Sequence, residues 1–351
     1  MTPGRGSILR RGSCPAGRDS AMLSKRAGAR AFGWVGTWLE GLRARRLVGA
    51  GWGAARSSYP LSVQEHRELP EDYRGPVFVW DIDKTYLSTA FSSIRGLARI
   101  PIEFAVDKLA IPGMPEILRA LRRGPGPGYA CLPLYFISAS PPQIRRVIEH
   151  KMLLDGVEPD GITCKDWLSA LAQFRPGRLR EQVGFKLCAL LEGRLRRPLA
   201  DEYLFGDDAE KDPVAFHLYA QIVAGSISPG EAQERVAAEG VDREARQFVF
   251  DLVGRLPRRR GRVERIFIHL EKGTPPERFD GMGDLLVPVK GACELALALY
   301  EEGLIRAEAV REACAAWEAG RGVPCGRAAA DALARGIVRA ERLRQLGLWP
   351  G

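Results

Sequence analysis

The sequence predicts an α/β fold in which a doubly wound parallel sheet carries helices on both faces, and three observations lead there. Short apolar runs with β-branched and aromatic content (Val77–Trp80, Leu134–Ile137, Tyr203–Phe205) alternate with segments whose apolar residues recur at helical spacing. Three of the runs stop abruptly at chemically loaded turns: Asp81 and Asp83, Ser138, then Asp207, Asp208 and Asp212. In a parallel sheet such turns share one edge, the edge where open α/β sheets bind their ligands. The chain, at 351 residues, can bury a full core and has room for about two domains.

Residues 1–70 read as a basic, poorly ordered leader. Before Glu65 the only acids are Asp19 and Glu40, and Met22 is a second candidate start. Phe32, Val35, Trp38, Leu39 and Leu42 can share a helical face ahead of Arg43, Arg45 and Arg46. That pattern suits an anionic membrane surface, and it also has the Arg-rich, acid-poor character of a transit peptide.

Residues 71–284 read as the α/β domain. Val77 to Trp80 is apolar on both faces, as a central parallel strand requires. Pro112 and Pro115 open a helix over Glu116 to Arg122, which the glycines from Gly124 to Gly128 end. A second strand over Cys131 to Ile137 leads into Ser138, and Pro142 starts a helix carrying Ile144, Val147, Ile148 and Met152. Gly161 to Cys164 can be a third strand. The helix begun at Gly184–Lys186 feeds a fourth, Glu202 to Phe205, and Arg265 to Leu270 is a fifth. Residues near 229–256 read as an inserted helical pair, and residues 285–351 as a helical C-terminal region broken around Gly320 to Pro324.

Composition narrows the function classes. A net charge of +9 and a pI near 9.3 favour anionic partners. Phosphorylated substrates, acidic lipid surfaces and nucleic acid all qualify, and charge does not choose among them. The seven cysteines are dispersed, without a CxxC pair, which argues against a disulfide framework or a structural zinc site and suits a reducing compartment. No run of about eighteen apolar residues occurs, so a cytoplasmic chain is expected, with peripheral membrane contact as its closest approach to a bilayer. His66, His150, His217 and His269 are scattered and read as surface or core residues.

On Asp81 and Asp83 alone, a strand ending in turn-forming residues is the bland alternative. The order Asp81-Ile82-Asp83-Lys84-Thr85, Ser138, Lys186 and Gly206-Asp207 with Asp212 goes further, because it resembles the four motifs of the haloacid dehalogenase superfamily. Tyr135 to Ser140, Phe185-Lys186-Leu187 and Gly206 to Pro213 resemble, within it, the phosphatidate phosphatase family typified by a yeast actin-patch protein. Lys84 departs from that family, which usually carries an acid there. The resemblance implies a Mg²⁺-dependent phosphatase with Asp81 as nucleophile, Asp83 as acid/base and Lys186 as transition-state cation. It implies phosphate binding by Ser138, Ala139 and Thr85. Metal binding would fall to Asp81, the Asp83 carbonyl and Asp207, with Asp208 and Asp212 in support. A carboxylate at Asp83, where ion-pumping relatives carry Thr, implies ester hydrolysis. The resemblance favours a phosphorylated substrate, lipid phosphates included, over nucleic acid.

The gap from Thr85 to Pro112 is too short for a large cap, and a small or absent cap predicts an open site suited to membrane-borne or macromolecular phosphoesters. The enzymatic alternative acts on phosphoprotein, nucleic-acid-end or sugar phosphates. The alternative from another class is an inactive basic membrane- or nucleic-acid-binding protein of the same fold.

Overall fold

Val77, Phe78, Val79 and Trp80 are buried, and alternation sends 77 and 79 to one face of the sheet and 78 and 80 to the other. They form β2 (Pro76–Asp81) at the centre of a seven-stranded sheet in this computed structural model, which describes residues 61–88, 109–166 and 182–349. The other strands are β1 (Leu61–Glu65), β3 (Leu134–Ser138), β4 (Gly161–Lys165), β5 (Asp201–Asp207), β6 (Val263–His269) and β7 (Leu286–Val289). Their order is β1-β4-β3-β2-β5-β6-β7, and every neighbouring pair is parallel except the antiparallel β1/β4 edge.

One face carries Phe78, Trp80, Phe136, Phe205 and Phe267. Trp80 stacks on Phe205 at 4.1 Å and Phe205 on Phe267 at 5.1 Å, an aromatic ladder across three strands. Over it lie α1 (Met114–Arg123), α2 (Arg145–Leu154), α7 (Ala292–Glu301), α8 (Ala307–Arg321), α9 (Cys325–Ala334) and α10 (Ala340–Leu346). The opposite face, with Val77, Val79, Ile137, Leu204, Ile266 and Ile268, is covered by α3 (Val183–Arg196), α4 (Asp212–Ala224), α5 (Pro229–Ala238) and α6 (Arg243–Arg255). Ser228 and Asp242 cap α5 and α6 by accepting backbone N–H bonds in the first turn.

From β2 the chain steps outward to β3 and β4, then crosses back to β5 on the other side of β2. The strand order therefore reverses between β2 and β5, and their carboxyl ends frame the crevice where such sheets take ligands.

Two strands depart from the sequence reading. β1 lies inside the stretch assigned to the leader. Leu61 to Glu65 is only half-buried and takes its order from pairing with β4, a partner a hundred residues away that no local pattern discloses. β7 lies where helix was expected. Pro288 argues against a central strand, but β7 is an edge strand, where a missing N–H is tolerated. Residues 1–60, with the candidate membrane-surface face at Phe32 to Leu42, lie outside the described residues.

Candidate active site

Asp81 is the last residue of β2 and Asp207 the last of β5, so the reversal point of the sheet carries a carboxylate from each side. Ser138 ends β3, Lys186 stands in the first turn of α3, and Asp212 opens α4. The structure thus brings to one place residues that the sequence separates by more than a hundred positions. One oxygen from each of Asp81, Asp207 and Asp212 falls within 4.8 Å of the others. Gly206 leaves room for this arrangement: a Cβ there would stand 2.5 Å from Asp212 Oδ2 and 2.6 Å from its Cβ, so any side chain would force Asp212 to shift.

The local turn fixes each acid. Asp207 Oδ1 accepts the backbone N–H of Ala209 at 2.5 Å and of Glu210 at 2.9 Å, while Asp212 Oδ2 accepts the N–H of Asp207 at 3.2 Å. Lys186 Nζ donates to Asp212 Oδ1 and to Glu210 Oε2, and stands 2.9 Å from Asp81 Oδ1 in an ion pair. Three acceptor oxygens are left over: both of Asp81, whose ion pair lacks hydrogen-bond geometry, and Oδ2 of Asp207. Buried acceptors without partners are rare and ask for an explanation.

Charge supplies one. Asp81, Asp207, Glu210 and Asp212 gather around a single ammonium, and Asp81, Asp207, Asp212 and Lys186 are no more than 1% exposed. Burial, against the pull of Lys186, holds Asp81 well above the usual carboxylate range, and burial with the Asp212 charge pushes Asp207 up to about 8. Burial likewise takes Asp212 up to about 6. Lys186 is held charged far above the ordinary lysine range by Asp212, Asp81 and Glu210, which outweigh its own burial. A second cation would relieve the surplus of negative charge, and an all-oxygen donor set suits a hard ion such as Mg²⁺. The leftover oxygens of Asp81 and Asp207 fit such a group.

Asp83 faces a different neighbourhood. Its Oδ2 accepts the hydroxyls of Ser138 at 3.3 Å and Ser140 at 3.1 Å, and Ser138 Oγ also accepts the N–H of Ser140. The carboxylate of Asp83 is therefore outside the metal-capable triple, where Asp212 stands instead, and the metal role assigned to it concerns its backbone carbonyl. Ala139 is buried beside Ser138, and Thr85 is buried with its hydroxyl unpartnered. Asp208 turns away: its carboxylate accepts the N–H groups of Lys272 at 2.8 Å and Thr274 at 2.9 Å, which pins the loop after β6. Between the two adjacent acids, Asp207 is the one that faces Asp81. The expected openness is not seen at these side chains, since Asp81, Asp83, Thr85 and Ser138 are at most 2% exposed. Most of the Thr85–Pro112 gap lies outside the described residues.

Three participants carry no role in the sequence reading. Glu210 shares the Lys186 ammonium, and its position two residues before Asp212 was the available signal. Ser140 holds Asp83. His269 ends β6, beside β5, and its Nδ1 lies 3.0 Å from the carbonyl oxygen of Lys84. Its own carbonyl accepts the N–H of Asp208. Lys84 has φ 64, a left-handed conformation that costs a non-glycine residue about 1–2 kcal/mol. His269 thus ties the strained turn between Asp83 and Thr85 to the loop that follows β5. Burial holds its pKa below the usual value, and because a carbonyl oxygen can only accept, Nδ1 is the ring nitrogen that donates to Lys84.

Removing that donor by His269→Ala is expected to lower stability by roughly 1 kcal/mol or more, the cost of losing the bond to the part-buried Lys84 carbonyl. His269→Asn, whose amide nitrogen occupies the Nδ1 position, should recover most of the loss. Equal midpoints for the two variants in urea unfolding would show that the bond contributes nothing.

Among the described residues no helix is long and apolar enough to cross a membrane. Comparison with known proteins finds no match among family models, curated proteins or solved structures.

Proposed function

We propose that the chain is a Mg²⁺-dependent phosphoric monoester hydrolase that works through an aspartyl phosphate on Asp81. The observation that carries this reading is the set of buried oxygens of Asp81 and Asp207 without hydrogen bonds at the strand-order reversal, with the Lys186 ammonium in an ion pair 2.9 Å from Asp81 Oδ1. Asp81 and Asp207, with the Asp83 carbonyl, would hold the ion, which supplies the positive charge that lets a carboxylate approach an anionic phosphoester.

The residues divide the remaining work. Asp81 attacks phosphorus in line and the ester P–O bond breaks. Asp83, steadied by Ser138 and Ser140, gives its proton to the departing oxygen, then takes one from the water that attacks the phosphoryl group and frees Asp81. Thr85 Oγ1 and the Ser138 turn offer donors to the phosphoryl oxygens, and Lys186 stabilises the charge that builds on them. Glu210 and Asp212 hold the ammonium in place.

For the substrate we propose a lipid phosphate such as phosphatidate, on the likeness of the segments around Ser138, Lys186 and Asp207 and on the net charge of +9. A panel of phosphomonoesters with purified full-length protein and Mg²⁺ tests both levels. Hydrolysis that excess chelator abolishes is expected, with vesicle-borne phosphatidate preferred. Preference for soluble sugar phosphates would reject the lipid reading alone, whereas turnover that persists in chelator would remove the metal.

A further inference from the structure

Away from this site three cysteines meet that the sequence scatters. Cys293 is the second residue of α7, Cys314 lies in the middle of α8 and Cys325 opens α9, and their sulfurs all fall within 4.8 Å of one another. They are buried: Cys293 is 0% exposed, Cys314 3% and Cys325 8%. The three differ in partner. Cys325 Sγ donates to the Cys314 carbonyl at 3.0 Å, whereas Cys293 Sγ and Cys314 Sγ approach to 2.6 Å. That is well inside ordinary sulfur contact and about 0.6 Å longer than a disulfide bond of about 2.05 Å. Two thiolates sharing a zinc ion at roughly 2.3 Å would stand more than about 3.5 Å apart, so a metal held by the same three sulfurs would require the pair to part.

We propose that Cys293 and Cys314 are a site of oxidative modification, a thiol pair that a peroxide converts into a disulfide joining α7 to α8. A cavity of about 430 Å³, lined by Lys290, Gly291, Cys293, Trp317 and Arg327, lies beside the pair, and because Cys293 is itself fully buried, hydrogen peroxide reaches its sulfur from there only through local opening of the fold. The Cys293 sulfur attacks one peroxide oxygen, the O–O bond breaks, and a sulfenic acid and one water form. Cys314 Sγ then attacks that sulfur, the S–O bond breaks and a second water leaves. Two thiols and one peroxide thus give one disulfide and two waters. The hydrogen bond to Cys314, with burial, keeps Cys293 protonated, so the reaction is slow and its end point is the quantity to measure.

The bond would act on the fold behind the catalytic turn. A side chain at Gly113 would collide with Ala292 Cβ at 2.6 Å and with the Ala313 carbonyl at 2.7 Å, the residues directly before the two cysteines. Gly113 follows Ala110, which bridges Leu87 at the close of the Asp83–Leu87 turn. A cross-link between positions 21 residues apart lowers the entropy of the unfolded chain and fastens the layer on which that turn rests.

The test uses the folded full-length protein, incubated with hydrogen peroxide, then denatured, alkylated and mapped by mass spectrometry. The expected product is a Cys293–Cys314 linked peptide pair, two hydrogens lighter than its parts, with a melting temperature raised by about 5 °C and restored by dithiothreitol. Cys325→Ala should still form the link and Cys314→Ala should not. Three alkylated cysteines after treatment, a link through Cys325 instead, or one zinc ion per chain bound to the untreated protein and lost in Cys314→Ala would each overturn the proposal.

Discussion

On the proposed mechanism, Asp81→Asn is expected to lower phosphatase turnover by about 10⁴-fold or more, because the amide keeps the shape of the side chain and loses the oxygen proposed as nucleophile. The same substitution should raise the melting temperature of the cation-free protein at pH 8. Asp81 is buried among Asp207, Glu210 and Asp212, and its ionised form is disfavoured despite Lys186. Asn removes that burden at nearly constant volume. The pH dependence carries a definite sign. With Asp207 pushed up to about 8 and Asp212 to about 6, the folded state holds protons between roughly pH 4 and 8 that ordinary carboxylates in the unfolded chain have released. Stability of the cation-free protein is therefore fullest below this window and is lost as pH rises through it. Mg²⁺ displaces those protons, so it should raise the melting temperature more at pH 8 than at pH 5.5, and hardly at all in Asp81→Asn. Undiminished turnover in the variant would remove Asp81 as nucleophile; an undiminished Mg²⁺ shift would remove it as a ligand.

How much of this was legible in the sequence depends on whether a feature is written locally. The central strands were, because Val77 to Trp80 and Leu134 to Ile137 are apolar on both faces and end at residues of another character. The convergence of Asp81, Lys186, Asp207 and Asp212 followed from one global rule, that parallel strands expose their carboxyl ends along one edge. Features made by partners distant in sequence were not legible. β1 owes its order to β4, Ser140 acquires meaning only when Asp83 bends toward it, and His269 reaches Lys84 across the width of β5. The cysteines mark the limit most clearly. Spacings of 21 and 11 residues match no ligand or disulfide pattern, yet the packing of α7, α8 and α9 draws the three sulfurs together.

The second large effect is expected from Lys186→Met, which keeps the buried stem and deletes the charge. Lys186 is the cation facing Asp81, Glu210 and Asp212, and it is itself fully buried. Removing one partner of a buried pair costs about 3–5 kcal/mol, because the remaining charges have neither water nor a counter-ion. For a domain of this size that is a fall of roughly 10 °C in melting temperature at pH 8. The loss should shrink at pH 5.5, where the carboxylates take up protons and less charge is left uncompensated, and Mg²⁺ should recover part of it at pH 8. Turnover should not return with stability. On the proposed mechanism, an ion held by Asp81 and Asp207 would restore charge balance in the ground state, but the donor proposed for the phosphoryl oxygens would be gone, a loss of about a hundredfold or more. Lys186→Arg separates the two roles, since it keeps the charge but places a broad, planar guanidinium where a compact ammonium meets three carboxylates. It should be less destabilised than Lys186→Met and still catalytically poor. If Lys186→Met melts at the wild-type temperature at pH 8, the acids are not ionised around the ammonium, and the electrostatic case for a bound cation fails with them.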